Sequence, residues 1–526
     1  MQEKNEGTDL LLVAVVFFAG AVLMALEMIG SRILAPAFGT SIYVWGALIT
    51  VVMSALTCGY FLGGKVADRR PGMAALGIIL AAAALLLGSL PIWMGGLTRS
   101  LQPLGPRTGS LAAAFALFFL PSLLLAMVSP YGVKLAGRSL GRIGGTAGRM
   151  AAISTAGSIL GTIATSFFLV PALGIRSIAR LLGLVLLALA AISFLPSRRG
   201  GKELLFPLAL ALLAGAGIAL LPSPPSGGCI PGIARVLYER DTLYHHLVVD
   251  QLGEERHLHF DRSWQSAMDL REPLRMVFAY TSALHLGVIA RPQPRRALFI
   301  GLGGGSAPRR FLHDYPSLEE VDVVEIDPEV VAVARRYFRL PSDPRLAVFV
   351  EDGRLFVERK AREIQAGRAE PYDLAVIDAF FSDAVPYHLT TVEFLASLRR
   401  NLAEDGVVVA NLIGAPSGRE SGFVRAMARS FASVFPRVWL FPLGGRLDLP
   451  MNVILVAAAR ESLDWDRTAW CAEAERLESE GLLGEPVSAY AARLLEEPWA
   501  RDPTRLRDVP LLTDDFAPVD TLQPPL

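Results

Sequence analysis

Apolar positions divide the chain before any single residue is considered. As far as Leu221 they run in blocks of bilayer length; beyond it they come in short runs broken by polar and turn-forming residues. About 20 consecutive apolar residues cross a hydrocarbon core. Seven segments approach that length: Leu10–Ile29, Ile42–Leu62, Met73–Trp93, Ser110–Met127, Met150–Val170, Ser177–Leu195 and Leu204–Leu221. The first is long, is preceded by mixed charge (Glu3, Lys4, Glu6, Asp9) and is followed by further spans, so it reads as a membrane helix rather than a cleaved leader.

The Pro/Gly-rich stretch 222–232 reads as a linker. Alternating runs at Ala234–Arg240, Tyr244–Asp250 and Arg256–Asp261 then predict a small antiparallel sheet. From Arg296 the pattern becomes strand–helix–strand. Apolar runs at Ala297–Gly301, Val321–Asp327, Leu346–Glu351, Leu374–Asp378 and Val407–Leu412 suit buried parallel strands. Helices are expected at Ser306–His313, Pro328–Phe338 and Thr391–Leu402, with Pro328 in a first turn and Thr390 as an N-cap. Late strands at Val438–Leu443 and Asn452–Ala458 close the sheet. The expected order is a membrane domain (1–221), the linker (222–232), a small sheet with a helix (233–295) and a doubly wound, Rossmann-like α/β domain (296–526).

Charge sharpens this division. The 50 basic and 50 acidic residues cancel over the whole chain, but residues 1–221 hold 16 basic and 6 acidic side chains, a net of +10. The remainder holds 34 and 44, a net of −10. Only a bilayer readily explains so few charges over so long a stretch. A zero total does not suggest a nucleic-acid binder, and three cysteines in 526 residues exclude a disulfide scaffold. Disorder is excluded by a hydrophobic content of 52%.

Basic residues gather after spans two (Lys65, Arg69, Arg70), four (Lys134, Arg138, Arg142) and six (Arg198, Arg199, Lys202), whereas the intervening loops are poorer. Lys and Arg collect on the cytoplasmic side, so these loops and the N-terminus are expected there. The stretch Gly59–Arg70 also resembles a cytoplasmic loop motif of major-facilitator transporters. Glu27 is the one acid well inside a span, a functional candidate or a partner for Arg32. Gly59-x-x-x-Gly63 and Gly157-x-x-x-Gly161 allow close helix approach.

Candidate chemistry lies at the strand ends, where ligands of doubly wound sheets bind. The first strand ends in Gly301-Leu-Gly303-Gly304-Gly305-Ser306. Glycines at Gly301 and Gly303 let a ligand approach the backbone, and a helix N-terminus follows. This departs from the dinucleotide fingerprint at Ser306. The second strand carries Glu325, placed to accept ribose hydroxyls; the third ends in Glu351-Asp352-Gly353, placed to meet an adenine amino group; the fourth ends in Asp378. Together they point to adenosine, while helix capping accounts for Asp327 and is open for Asp352.

On these residues the chain resembles the spermidine synthase family, within the class I methyltransferase-like fold, over about Arg235–Leu412. It is most similar to a branch with an N-terminal multi-span domain, which Leu23–Arg70 and the tail Leu512–Asp520 also fit. The resemblance implies that Glu325 holds the ribose, Asp352 and Gln265 contact the nucleoside, Asp378 is the catalytic aspartate and Tyr280 lines the substrate pocket. It implies decarboxylated S-adenosylmethionine as co-substrate and a small cationic amine as acceptor. A homodimer stays open, since family members are commonly dimeric.

The chain departs from the family pattern at three places, four residues in all. Gly304 stands where an acid anchors the donor's ammonium, Thr281-Ser282 replaces His-Glu, and Phe381 replaces a diamine-binding acid, with Asp383 two residues on. Asp383, or Asp514 or Asp515 from the tail, is then the candidate to hold the distal ammonium. Trp264, Phe380, Phe381 and Tyr387 either face the cation or pack in the core. His245, His246, His257 and His259 lack a compact ligand spacing, so no metal is expected. A methyltransferase using S-adenosylmethionine, and a non-enzymatic transporter-like sensor, remain as alternatives. Seven spans from a cytoplasmic N-terminus would leave the soluble half outside, where Cys229 and Cys471 could pair. Cytosolic adenosyl donors require an even count, with Leu204–Leu221 lying in the interface or re-entering. The cytoplasmic placement at the inner (cell) membrane is the expectation carried forward.

Overall fold

The computed structural model describes residues 2–38, 42–137, 143–194, 234–261, 263–379 and 386–522. The chain divides into two compact units, Met1–Gly227 and Gly228–Leu526. The first contains, among the described residues, six helices long and apolar enough to cross a membrane: Leu10–Ala35, Ile42–Arg69, Met73–Leu104, Arg107–Ala136, Ile143–Leu169 and Ile175–Ser193. The seventh predicted span, Leu204–Leu221, the linker and Cys229 lie outside the described residues.

Helix pairs in this unit meet at glycines. A Cβ on Gly157 would stand 1.9 Å from the Phe17 carbonyl oxygen, and one on Gly161 would stand 2.3 Å from that of Ala21. The fifth span therefore lies directly on the backbone of the first. Gly59 and Gly63 do the same between the second and fourth spans, where a Cβ would come within 2.5 Å of Leu123 O and 2.7 Å of Met127 O. Small residues at these points let the apolar helices pack backbone against backbone. Just beyond the glycines, Lys134 Nζ reaches Asp68 Oδ1 at 2.6 Å and the Tyr131 hydroxyl donates to Arg70 O. The basic ends of the second and fourth spans thus sit side by side. Glu27 is buried. Arg32, five residues on, stands about 140° further round the helix, so the two do not share a face.

The second unit begins with an antiparallel sheet of four strands in sequential order: β1 (Arg235–Asp241), β2 (His246–Leu252), β3 (Glu255–Phe260) and β4 (Ser263–Asp269). The alternation predicted the first three. β4 was hidden by the polar residues Ser263, Gln265 and Ser266, the last two of which border the cavity described below. The main sheet holds β5 (Arg296–Ile300), β6 (Glu320–Glu325), β7 (Leu346–Val350), β8 (Tyr372–Ile377), β9 (Leu402–Gly414), β10 (Arg437–Pro442) and β11 (Met451–Ala458), in the order β10-β11-β9-β8-β5-β6-β7. Pairs among β5 to β9 are parallel, and β11 is antiparallel to both neighbours. This is the doubly wound, class I methyltransferase-like sheet expected. Phe299, Leu374, Val376, Val407 and Val409 enter one apolar layer, and Leu298, Ile300, Ala375, Ile377 and Val408 the other. Burial on both faces is why these strands read as continuous apolar runs.

Helices α1 (Ser306–Asp314) and α2 (Pro328–Tyr337) follow β5 and β6. Helix α3 (Gly353–Gln365), between β7 and β8, was not predicted, because charged and apolar residues mix along it. Helix α4 (Val392–Arg399) corrects the expected cap: Thr391, not Thr390, accepts from Phe394 N at 3.3 Å. Thr390 Oγ1 instead donates to Tyr387 O at 2.6 Å, closing the preceding turn.

Because the fifth apolar helix rests on bare backbone of the first, Gly161→Leu is expected to destabilise this unit by about 1–3 kcal/mol or more through overpacking. Thermal unfolding of the detergent-solubilised full chain, with the exposed Gly144→Leu as control, checks this.

Candidate active site

Strand β5 lies between β6 and β8, where the winding of the sheet reverses and a cleft opens beyond the strand ends. Two backbones leave this point almost in contact. Gly301 N–H donates to Val324 O and Asp378 N–H to Ile300 O, both at 2.9 Å. Gly301 has φ +101°, and a Cβ there would stand 2.2 Å from the Asp378 carbonyl oxygen. No side chain satisfies both conditions. The loop then turns through Gly303 (φ +53°) and Gly305 (φ +74°) into α1.

One cavity opens over these strand ends. Gly301, Gly303, Glu325, Asp352, Gly353, Asp378, Gln265 and Tyr280 all line it. The structure therefore brings together every predicted site residue except Asp383, which with Phe380 and Phe381 lies outside the described residues.

The three acids are held differently. Glu325 accepts Leu302 N–H on Oε2 at 3.1 Å and Asp327 N–H on Oε1 at 3.0 Å, which ties its carboxylate to the glycine loop. Burial pushes its pKa up to about 7, against the pull of these donors. Asp352 caps α3, accepting from Arg354 N and Leu355 N, and His388 Nε2 lies 3.2 Å from its other oxygen. Capping and a place on the cavity wall are thus compatible at Asp352, whereas Asp327, which accepts from Glu329 N (2.9 Å) and Thr242 Oγ1 (2.5 Å), is buried and does not line the cavity.

Asp378 is the acid that burial leaves least satisfied. Desolvation pushes its pKa up to about 6, opposed only by Asn411 Nδ2, which donates to Oδ1 at 2.9 Å. Asn452 Nδ2 in turn donates to Asn411 Oδ1 at 3.0 Å. Asn452 therefore fixes which end of the Asn411 amide meets the carboxylate. Sequence reasoning missed both; the available signal was a polar residue inside an otherwise apolar buried strand. Tyr280 donates its hydroxyl to Gln265 O at 3.1 Å, and burial next to Asp378 holds its phenol well above the usual value. His245, stacked on Phe260 at 4.2 Å, and His388 also line the cavity and were missed.

Other candidates are placed elsewhere. Asp514 is engaged by Arg354 at 2.6 and 2.5 Å, which holds its carboxyl below the usual range, and it does not border the cavity. Asp515 is exposed. Trp264 and Tyr387 are 54% and 58% exposed and do not line the cavity. His257 and His259 are buried on opposite oxygens of Asp250, at 3.1 and 3.0 Å. Among the described residues no group of three His, Cys, Asp or Glu is arranged to hold a metal.

The carboxylate geometry sets a stability signature. Glu325 and Asp378 have folded pKa values raised above their unfolded ones, so the stability they contribute is present at low pH. It is lost as pH rises from about 4 through 6 and 7. Asp378→Asn is accordingly expected to stabilise the ligand-free protein by about 1–3 kcal/mol at pH 8, with the gain shrinking towards pH 5. Denaturant unfolding at the two pH values measures it.

Known proteins are similar to this part of the chain. The family described as "Spermine/spermidine synthase domain" matches residues 277–438, which run from just before Tyr280 into β10. A polyamine aminopropyltransferase of Vibrio vulnificus is 33% identical over 185 residues, covering 34% of this chain and 60% of that protein. An N-terminal histidine N-methyltransferase of Emericella nidulans is 34% identical over 179 residues, covering 33% of this chain and 30% of that protein. A solved probable spermidine synthase from Corynebacterium glutamicum aligns with a TM-score of 0.42 at 24% identity, covering 56% of this chain and 99% of that one. The chain thus spans less than two thirds of the two curated relatives. Residues 277–438 thus form a region similar to the spermine/spermidine synthase domain, and they carry the cavity's acids Glu325, Asp352 and Asp378.

Proposed function

We propose that the soluble unit is an aminopropyltransferase, moving an aminopropyl group from decarboxylated S-adenosylmethionine to putrescine or a related small amine. The observation that carries this reading is the joint placement of Glu325, Asp352 and Asp378 around one cavity beside the glycine loop. Glu325 and Asp352 each keep acceptor capacity facing the cavity, which suits ribose hydroxyls and an adenine amino group. The bare backbone of Gly301, Gly303 and Gly353 lets the nucleoside lie close.

The reaction needs a neutral amine. Its nitrogen attacks the methylene next to the sulfonium, the carbon–sulfur bond breaks and methylthioadenosine leaves. The proton shed by the nitrogen passes to Asp378, whose carboxyl near pKa 6 is ionised at neutral pH yet basic enough to take it. Asn411, fixed by Asn452, holds that carboxylate in place.

One observation favours a second reading, methyl transfer from S-adenosylmethionine. The donor-anchoring acid of the family is absent at Gly304, where a Cβ would meet Ser266 Oγ at 2.6 Å and require Ser266 to shift. The Emericella relative is itself described as a methyltransferase. Incubation of the full chain with either donor separates the two: spermidine and methylthioadenosine from the decarboxylated donor support aminopropyl transfer, and turnover of intact S-adenosylmethionine alone overturns it.

Asp378→Asn is expected to lower kcat by about 10²–10⁴. Wild-type kcat/KM should rise with pH through about 6, and Asn411→Ala should move that limb upward, because the donor that holds the Asp378 pKa down is lost. A pH–rate profile of both proteins checks it.

We further propose that the chain is a multi-pass protein of the cell membrane with this unit on the cytoplasmic side. Support comes from the adjoining basic ends of the second and fourth spans and from the cytosolic supply of adenosyl donors. Phosphatase and fluorescent-protein fusions after Pro222 are expected to report cytoplasm, and periplasmic phosphatase activity would refute it.

A further inference from the structure

We infer that the membrane unit contains a site for a monovalent cation, built from the Glu27 carboxylate and the hydroxyls of Thr165 and Ser122. Glu27 is only 8% exposed and lies well inside the first span. The first and fifth spans touch at Phe17 with Gly157 and at Ala21 with Gly161. Gly157, Gly161 and Thr165 are four residues apart and share one helix face. One turn past the Ala21 contact therefore sets Thr165 opposite Ala25, close to the depth of Glu27. Glu27 is seven residues from Gly20, on the same face of its helix, and Gly20 also meets the fifth span, at Ser154 O. Side chains lean towards the helix N-terminus, which carries the carboxylate back to the level of Thr165. The fourth span meets the first at Gly132 with Val16 and at Gly109 with Phe38, an antiparallel register that sets Ser122 at that depth too.

These two hydroxyls are unusual. Thr165 is 1% exposed and Ser122 0% exposed, and neither oxygen has a hydrogen-bond partner among the described residues. Hydroxyls in apolar helices ordinarily donate to the carbonyl one turn back. Thr162 does so to Ser158 O at 2.9 Å, and Ser193 to Leu189 O at 2.7 Å. Thr165 and Ser122 instead lie in and just after π-helical turns, Ala164–Leu169 and Phe115–Phe119, each followed closely by a proline, Pro171 and Pro121. Such turns recur at functional sites. Two unsatisfied oxygens are thus held at the depth of the one acid well inside a span.

The chemistry selects the charge of the ligand. An ionised carboxylate in hydrocarbon needs a positive partner. One carboxylate with two neutral oxygens balances a single positive charge, and a divalent ion would leave a surplus. A sodium ion and the ammonium head of a primary amine share this chemistry; the ammonium offers three donors to three acceptors.

Dicyclohexylcarbodiimide modifies protonated carboxyl groups in apolar surroundings and tests the site on the full chain in lipid nanodiscs. Peptide mass spectrometry reads the adduct on Glu27 in N-methylglucamine, sodium and butylammonium chlorides at equal ionic strength. Modification is expected in N-methylglucamine. It should slow about tenfold in sodium or butylammonium at ten times the dissociation constant, and the salt that protects identifies the source. Ser122→Ala with Thr165→Val should keep the modification and lose the protection. Absence of the Glu27 adduct, equal rates in all three salts, or full protection in the double variant would overturn the site. If the double variant does not assemble, the wild-type salt comparison decides alone. None of these outcomes depends on transferase activity in the soluble unit.

Discussion

The second unit turns on the near-contact of two backbones at the head of its sheet. Where β5 and β8 end, Gly301 must pass the Asp378 carbonyl with no side chain between them, in a conformation only glycine adopts readily. That approach places the glycine loop against the fourth strand end and lets Leu302 N–H reach Glu325 on the far side. Glu325, the loop and Asp378 are therefore one rigid arrangement rather than three independent ligands. Any side chain at position 301 would pry the strand ends apart and move both acids.

The same arrangement explains the electrostatics. Glu325 and Asp378 sit where the sheet excludes water, so each is difficult to ionise, yet they differ in what compensates them. Glu325 is supplied with backbone N–H groups, which suits an acceptor that stays in place. Asp378 has a single side-chain donor, which leaves it able to exchange a proton. A cavity with one fixed and one labile carboxylate can hold a nucleoside at one end while proton transfer occurs at the other.

Much of this was legible in the sequence because it rests on local rules. Parallel strands buried on both faces are continuous apolar runs, and the residues at their ends border the cavity, so Gly301, Glu325, Asp352 and Asp378 could be found one strand at a time. What escaped notice depends on distant neighbours. Asn411 and Asn452 lie on adjacent strands and matter only because Asn411 reaches the end of β8. The engagement of Asp514 by Arg354 likewise joins residues 160 positions apart. Strand β4 and helix α3 were missed because residues facing the cavity or solvent break the periodicity on which recognition relies. The cap at Thr391 differs by one residue because Thr390 serves the preceding turn, a choice that two adjacent threonines do not reveal.

Helix α3 starts at Asp352, one of the cavity acids, and its first turn carries Arg354, which grips Asp514 near the chain's end. Residues around Leu512 also join the sheet's apolar layer, and Leu512 N–H is accepted by Ser430 Oγ at 3.0 Å. The C-terminal segment is thus a brace for the helix that brings Asp352 to the cavity. A tag fused at this end, or trimming of the last fifteen residues, which removes Leu512 and Asp514, would disturb the cavity from a distance, even though Asp514 does not border it.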